Sequence, residues 1–358
     1  MSRAAEAQLN LTALRANLER VRAFAPNSKV MAMIKANAYG HGLVRIAKAL
    51  SSHADGFGVA CGEEAWALRM AGIKQTITLI EGFFDEEEFS LIEEHQLGVT
   101  IHHIWQVNAL AKAKLKTPLK IWLKIDTGMH RLGLAPDSVA EAVDYLAQSG
   151  NVSEIGFITH LANADDAADD TSTQQIRLFE QTLATQSGER SIANSAGILA
   201  WPESHADWVR PGIMLYGVSP MLGQQALAHG LQAVMTLRSR LIAVNYRKKG
   251  ERIGYGGTWE CPEDMPVGVV AIGYGDGYPR HAKTGTPVLV RDQLVPLIGR
   301  VSMDMITVDL RNIVQPRIGD EVTLWGEGLP IELIAQAADT IAYELLCGLT
   351  PRVRVVES

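Results

Sequence analysis

A lysine stands at the point where a buried strand gives way to a small, polar loop. Residues 30–34 are apolar without alternation, which is typical of a strand that is buried on both faces of a parallel sheet. Lys35 follows this run and precedes a loop that contains Gly40 and Gly42. At the carboxyl ends of such strands α/β barrels place their catalytic groups, and partial burial lowers the pKa of a lysine amine so that it suits Schiff-base chemistry. The alternative is a lysine that ends the strand and extends into solvent.

A second lysine interrupts another apolar run. Lys124 directly follows Ile121, Trp122 and Leu123, in a segment that we expect to be a buried strand. A buried ammonium group without a partner is costly. One candidate partner is Asp126, which lies two residues along on the same face of the strand.

Strand-like and helix-like segments alternate up to about residue 217. Helical spacing is clear in apolar stripes such as Val139, Val143 and Leu146. The predicted strands are 30–35, 56–60, 77–82, 98–103, 119–126, 155–160, 191–195 and 208–217. Eight strands separated by helix-sized segments predict a closed (β/α)8 barrel of the TIM type. An open doubly wound sheet is the competing fold, but no Gly-x-Gly-x-x-Gly fingerprint follows the first strand.

The pattern changes after about residue 230, where short β-rich segments are separated by Gly, Pro and Asp. The predicted strands are 234–244, 268–272, 287–290, 294–298, 305–310 and 321–325, with one helix candidate at 331–346. We therefore predict a barrel domain over residues 1–230 and a mostly antiparallel β domain over residues 231–358. The opening segment 7–11 fits either domain.

Composition restricts the class of protein. A chain of 358 residues with 47% apolar and 20% charged side chains is an ordinary globular protein of two domains. Its net charge of −7 argues against electrostatic binding of nucleic acid. No apolar run approaches a membrane span and the first ten residues lack the apolar core of a signal peptide, so we expect a cytoplasmic protein without membrane contact.

Metal and disulfide chemistry are not indicated. Cys61, Cys261 and Cys347 are few, odd in number and widely spaced, which suggests neither a disulfide framework nor a zinc site. His102 and His103 are neighbours in a predicted strand and so point to opposite faces. That arrangement argues against a metal hydrolase.

Seven motifs, which follow one another in the family's order, resemble those of bacterial alanine racemases, enzymes that use pyridoxal phosphate (PLP). They are KANAYGHG (35–42), LKIDTGMHRLG (123–133), ANS (193–195), VRPGI (209–213), IGYGG (253–257), GYGDGY (273–278) and VSMD (301–304). The resemblance spans nearly the whole chain. The family's fold, a PLP-binding barrel followed by a β domain, agrees with the fold predicted from the pattern.

The resemblance implies two acid–base groups. Racemisation removes a proton from one face of the α-carbon and adds one to the other, so a group must stand on each face. By resemblance Lys35 is the Schiff-base lysine and one base, and Tyr255 of the partner subunit is the other. His160 matches the residue that hydrogen-bonds this tyrosine. The expected reaction interconverts L- and D-alanine through an external aldimine, in a homodimer with shared active sites.

The remaining contacts of the cofactor are also implied by the resemblance. Tyr39 helps to hold the phosphate. Asn194, Ser195, Gly212 and Ile213 fall after the seventh predicted strand and within the eighth, where barrels commonly bind phosphate through backbone amides.

Three further roles concern the ring and the substrate. Arg210 corresponds to the arginine that faces the pyridine nitrogen, and a guanidinium there disfavours a protonated ring and thus decarboxylation. Arg131 would contact the phenolic oxygen and the substrate carboxylate, and the family carbamylates the lysine that matches Lys124, which fixes this arginine. From the partner subunit, the Met303 amide would meet the substrate carboxylate and Tyr274 would narrow the entrance.

Several alternatives stay open at this point. Many family members carry a phosphate-contacting tyrosine where this chain has Pro351. Another PLP amino-acid racemase, for example one acting on serine, would share most of these motifs. A basic-amino-acid decarboxylase of the same two-domain plan needs a glutamate in place of Arg210 and lacks the Tyr255 motif, and a PLP carrier built on the barrel alone would not need the β domain. Biosynthetic and catabolic alanine racemases share the motifs.

Overall fold

The computed structural model describes residues 4–357. They form two compact units. One comprises Arg15–Leu215 with Pro220–Gln224, and the other comprises the residues up to 14, residues 216–219 and those from 225 onward. Within the part of the chain that is described, no helix is both long and apolar enough to cross a membrane.

A closed barrel of eight parallel strands forms the first unit, which confirms the predicted (β/α)8 fold. Its strands are Lys29–Met33, Gly56–Val59, Thr76–Leu79, Gly98–Ile101, Leu119–Lys124, Val152–Ile158, Arg190–Ser191 and Trp208–Val209. The last strand closes onto the first through the pairs Lys29–Trp208 and Val30–Val209. The carboxyl ends of all eight strands therefore face one mouth of the barrel.

Helices connect these strands. The α-helices are Leu11–Phe24, Leu43–Leu50, Gly62–Met70, Phe89–Glu94, Ile104–Lys112, Val139–Gln148, Thr171–Thr182 and Ser195–Ala200, and the short 3-10 helices are Glu86–Glu88, Pro136–Ser138, Pro202–Ser204 and Ile213–Tyr216. Val139 and Leu146 of the predicted apolar stripe are buried.

Side chains fill the barrel interior. Met31, Met33, Trp122, Ile158 and Trp208 form one buried cluster, in which the two indole rings meet edge to face with centroids 6.3 Å apart. A Cβ at position 156 would lie 2.7 Å from the Trp122 ring, so glycine is required beside it. The interior is therefore a packed core, and ligands are confined to the mouth.

The eighth strand is shorter than predicted. It ends at Val209, because Pro211 has no backbone N–H with which to continue a ladder and Ile213–Tyr216 turns into a 3-10 helix. Gly212 and Ile213 consequently follow this strand, and the prediction that they lie within it is wrong.

An eight-stranded sheet dominates the second unit. Its strands are Glu6–Leu9, Met235–Arg247, Met265–Val270, Pro287–Val290, Gln293–Ile298, Ile306–Asp309, Glu321–Trp325 and Arg354–Glu357, and a separate hairpin pairs Arg252–Ile253 with Trp259–Glu260. The pairing is antiparallel except between Glu6–Leu9 and Arg354–Glu357, which run parallel. A mostly antiparallel β domain is thus confirmed. Three 3-10 helices accompany it, Ala226–His229, Tyr255–Gly257 and Tyr274–Asp276.

The single helix predicted over 331–346 is wrong. The segment forms two helices, Ile331–Ala337 and Ala342–Cys347. Asp339 between them has a φ of 54°, and a residue in the left-handed region ends a right-handed helix. The apolar spacing of the two short helices mimics one long one.

Candidate active site

Lys35 begins a single turn of left-handed backbone at the mouth of the barrel. The first strand ends at Met33, and residues 36–39 all have φ between 51° and 54°. Such a conformation costs roughly 1–2 kcal/mol per residue for L-amino acids. Surrounding contacts must therefore hold the turn in place.

Two side chains hold this turn in place: His41 binds its backbone, and Asn37 within the turn binds the start of the next helix. The Nδ1–H of His41 donates to the carbonyl oxygens of Tyr39 at 2.8 Å and Ala38 at 3.1 Å, and Oδ1 of Asn37 accepts from the amide of Leu43 at 2.9 Å. His41 is fully buried, and burial lowers the pKa of its imidazole to about 4. The neutral ring thus anchors the segment that presents Lys35.

Positive charges converge around Lys124. Burial, together with the charges of Arg210, Arg131 and Lys35, lowers the pKa of its amine to about 8, while Asp126 opposes the shift. Because like charges repel in a partly desolvated site, this cluster favours an anionic ligand or a neutral lysine.

Asp126 is engaged by its own turn. Its Oδ1 accepts from the amides of Gly128 and His130, both at 3.0 Å, and its Oδ2 faces Nδ1 of His130 at 3.1 Å. These contacts lower the pKa of the carboxyl against the opposing effect of burial. The carboxylate shapes the segment that leads to Arg131.

Arg210 is the best-fixed side chain of the site. Its Nη1 donates to Oγ of Ser191 at 2.6 Å, and its Nη2 donates to the carbonyl oxygens of Thr159 at 2.5 Å and Ile192 at 3.1 Å. Burial lowers the pKa of this guanidinium to about 9, so it stays charged at neutral pH.

His160 lies beside Arg210, with its Nδ1 3.5 Å from Nη2. Burial, followed by the charge of Arg210, lowers the pKa of His160 well below its ordinary value. The imidazole is neutral as a result. Since Nδ1 faces a donor, the proton of the ring belongs on Nε2.

A small cradle forms from two loops at the mouth. The Gly212 amide donates to Oγ of Ser195 at 2.8 Å, and Oδ1 of Asn194 caps the next helix by accepting from Gly197 N at 2.9 Å. A Cβ at position 212 would lie 2.5 Å from the Tyr39 hydroxyl oxygen, so only glycine admits this approach. Ile213 is buried beside it. The cradle thus brings together the hydroxyls of Tyr39 and Ser195, the side chain of Asn194 and the backbone of Gly212. Such a set of polar groups fits a phosphate group.

The donor set as a whole fits PLP. The phosphate and phenolic oxygen of that cofactor are anionic, and its aldehyde forms a Schiff base with a lysine. The mouth of the barrel offers the cations Lys35, Lys124, Arg131 and Arg210, and the glycine cradle stands between the ends of two strands.

Sequence reasoning missed several residues that the structure brings to this site. Glu81 Oε1 lies 3.5 Å from Nζ of Lys35. The only feature of the sequence that pointed to Glu81 was its position near the end of a predicted barrel strand. His41 lies within the motif 35–42, but its role in holding the turn was not predicted. Thr159 and Ser191 act through contacts with distant residues that no local pattern indicates.

Three predicted site residues lie in the second unit. Tyr255, Met303 and Tyr274 are exposed by 68%, 53% and 40%. The loops of the last two are joined, because Tyr274 N donates to the Ser302 carbonyl at 3.0 Å. Large exposed side chains on joined loops, as with Tyr274 and Met303, are typical of an interaction surface.

Comparison with known proteins agrees with the fold and the site. Residues 9–220 match the model of the alanine racemase N-terminal domain, and residues 234–357 match that of the C-terminal domain. Alanine racemases of Coxiella burnetii (strain CbuG_Q212) and Halorhodospira halophila are each 50% identical over 99% of this chain and 98% of their own length.

Solved structures give the same result. The biosynthetic alanine racemase of Pseudomonas aeruginosa matches with a TM-score of 0.97 and 42% identity over 100% of both chains. The alanine racemase of Bartonella henselae, solved with covalently bound pyridoxal phosphate, matches with a TM-score of 0.89 and 27% identity over 99% of both chains. The chain belongs to the alanine racemase family of PLP-dependent isomerases.

Proposed function

We propose that the protein interconverts L- and D-alanine, with PLP bound covalently by Lys35. The observation that carries this proposal is the mouth of the barrel, where a lysine on a strained turn stands among Lys124, Arg131 and Arg210. When bound, PLP withdraws electrons from the α-carbon of an amino acid and so acidifies its proton. The hydroxyls of Tyr39 and Ser195, Asn194 and the amides of Gly212 and Ile213 would hold the phosphate.

Arg210 selects the reaction type. A guanidinium has donors only and cannot take a proton, and its three acceptors hold it in one place. Placed at the ring nitrogen, it would leave that nitrogen unprotonated. A weaker electron sink favours return of a proton to the α-carbon over decarboxylation, which argues against the decarboxylase alternative.

Two groups would move the α-proton. Nζ of Lys35 serves one face and the hydroxyl of the partner subunit's Tyr255 serves the other. The unperturbed pKa of a tyrosine is about 10, so this hydroxyl needs assistance to act as a base. We assign that role to His160, whose neutral ring carries its proton on Nε2 and is oriented by Arg210.

Lys124 would act as a carbamate. A pKa of about 8 leaves part of the amine neutral at pH 7, and a neutral amine adds to carbon dioxide. The ammonium first gives up one proton, the nitrogen–carbon bond then forms, and a second proton leaves the nitrogen to solvent. The side chain thereby passes from positive to negative with the loss of two protons. The resulting anion would neutralise the surrounding cations and orient Arg131.

Substrate binding completes the proposal. Arg131 and the amide of the partner's Met303 would hold the substrate carboxylate, while the partner's Tyr274 narrows the entrance and favours a methyl side chain. A homodimer and a cytoplasmic location remain predictions from the sequence. A serine racemase is the second candidate, because serine is only one hydroxyl larger than alanine.

The test is D-alanine formation by the purified full-length protein supplied with PLP and L-alanine. We expect turnover and the visible absorbance of a lysine-bound cofactor, and we expect Lys35→Ala to abolish both. Lys48→Ala, at an exposed lysine of a barrel helix, is the matched control and should behave as the wild type. Bound cofactor without turnover of alanine would overturn the proposal, and parallel assays with L-serine and L-lysine would then identify the alternatives.

A further inference from the structure

We propose that Arg352 is a positioning residue, which clamps the loop of Met303 to the loop of Tyr274 and thereby sets the affinity for the substrate carboxylate. The inference rests on the proposed function for the role of these two loops. The clamp itself rests on contacts within the β unit.

Arg352 pairs with a carboxylate from each loop. Its Nη2 lies 2.5 Å from Oδ1 of Asp304, and its Nε lies 3.4 Å from Oδ1 of Asp276. Asp276 is fully buried, and its Oδ2 accepts from the amide of Gly273 at 2.9 Å. A buried carboxylate requires a partner of opposite charge or several hydrogen bonds, and Arg352 supplies the charge.

Backbone contacts lie directly beneath this pair. Tyr274 N donates to the carbonyl of Ser302 at 3.0 Å, and Gly275 N donates to the carbonyl of Met303 at 2.8 Å. A Cβ at Gly273 would lie 2.2 Å from the Ser302 oxygen, so the two loops touch backbone to backbone. The orientation of the Met303 peptide is therefore coupled to the loop of Tyr274.

The segment that carries Arg352 is itself fastened to one of the loops. Thr350 donates from Oγ1 to the Gly275 carbonyl at 2.9 Å and from its amide to the Asp276 carbonyl at 3.2 Å. These two hydrogen bonds fix the backbone close to Arg352. Its planar fork can serve two carboxylates at once, which the single ammonium of a lysine does less well.

Loss of the clamp should weaken substrate binding more than chemistry. Lys35 and Tyr255, the groups that move protons, do not belong to it. An interaction made equally with substrate and transition state changes KM and leaves kcat nearly constant. For Arg352→Gln we expect KM for L-alanine to rise about tenfold, the size of one charged hydrogen bond, with kcat changed less than about threefold. Arg352→Lys should recover part of the affinity.

The control lies two residues further along. Arg354 is exposed and pairs with Glu6, away from both loops, so Arg354→Gln should leave KM unchanged. Asp304→Asn should reproduce part of the defect of Arg352→Gln, and the double variant should be no worse than Arg352→Gln alone, because that change already removes the contact with Asp304.

Hydrogen exchange of the holoenzyme provides a readout that does not depend on catalysis. The amides of Tyr274 and Gly275 should exchange faster in Arg352→Gln and Asp304→Asn than in the wild type. Unchanged KM together with unchanged exchange in these variants would overturn the clamp. If Arg352→Gln does not fold, Arg352→Lys and Asp304→Asn decide the question. A wild type that does not racemise alanine would refute the proposed function, whereas exchange would still test the clamp.

Discussion

Nη1 of Arg210 donates a hydrogen bond to Oγ of Ser191 at 2.6 Å, and both side chains are buried. Ser191 in turn donates to the carbonyl of Trp208 at 2.9 Å. A serine at the end of the seventh strand thus links the arginine to the eighth. Contacts within the barrel therefore fix the position of Arg210.

Removing this hydroxyl should destabilise the fold. Ser191→Ala leaves a buried charged donor without one of its acceptors, which costs about 1.5–3 kcal/mol. Urea denaturation should show that loss in the free energy of unfolding. Ser90→Ala, at an exposed serine of a barrel helix, should change it by less than about 0.5 kcal/mol. Equal stability of the two variants would mean that the Arg210 contact is not formed.

His41 should make stability depend on pH in the acid range. Its pKa is about 4 in the folded protein and about 6.5 in the unfolded chain, so between these values only the unfolded state takes up the proton. Stability therefore falls as pH drops from 6.5 to 4, by up to about 3 kcal/mol. His41→Asn keeps a donor for the turn and should reduce this slope, while the contribution of His160, whose pKa is also lowered by burial, remains.

The measurement is urea denaturation at a series of pH values. His281→Asn, at an exposed histidine, is the control and should keep the slope of the wild type. A slope as steep in His41→Asn as in the wild type would assign the acid sensitivity to other groups.

Lys124 should bind carbon dioxide. With ¹³C-labelled bicarbonate the wild type should give a carbamate resonance that grows as pH rises through about 8, because only the neutral amine reacts. Lys124→Arg should lack it and lose activity by about tenfold or more.

Lys120 on the same strand provides the control for this experiment. Burial opposes ionisation there, but hydrogen bonds to Glu189 and Glu154 raise the pKa of its amine, so it stays protonated. Lys120→Arg should keep the resonance. A resonance that persists in Lys124→Arg would place the modification elsewhere.

Shared active sites can be tested by mixing. Homodimers of Lys35→Ala and of Tyr255→Phe should both be inactive, yet a hybrid dimer holds one intact site. After subunit exchange at equal concentrations, half of the dimers are hybrids with one of two sites restored, so activity should return to about one quarter of the wild type. Each variant incubated alone is the control. No recovery despite exchange would show that each site is built from one chain.

The sequence predicted the barrel and the order of its strands because buried parallel strands are runs of apolar residues. Its errors arose where that signal misleads. Apolar residues continue through Ile213–Tyr216 after the strand has ended, and the strand Arg354–Glu357 is short, charged and paired with the opposite end of the chain. No pattern within either segment predicts that the two ends of the chain pair.

The same distinction applies to the site. Motifs identify residues such as Lys35 and Arg210, whose types carry chemistry. The contacts that hold them come from distant positions, as with Ser191 and Thr159, and the left-handed turn contains two alanines that do not favour that conformation. Support of this kind becomes visible only in three dimensions.

The most direct test of the central claim is alanine racemisation by Tyr255→Phe in heavy water, followed by NMR and chiral chromatography. In the wild type both enantiomers should interconvert and acquire α-deuterium. In Tyr255→Phe we predict that racemisation falls at least about 100-fold, while deuterium still enters only one enantiomer, because Lys35 still serves one face. Racemisation at the rate of the wild type, or exchange into both enantiomers alike, would contradict the two-base account.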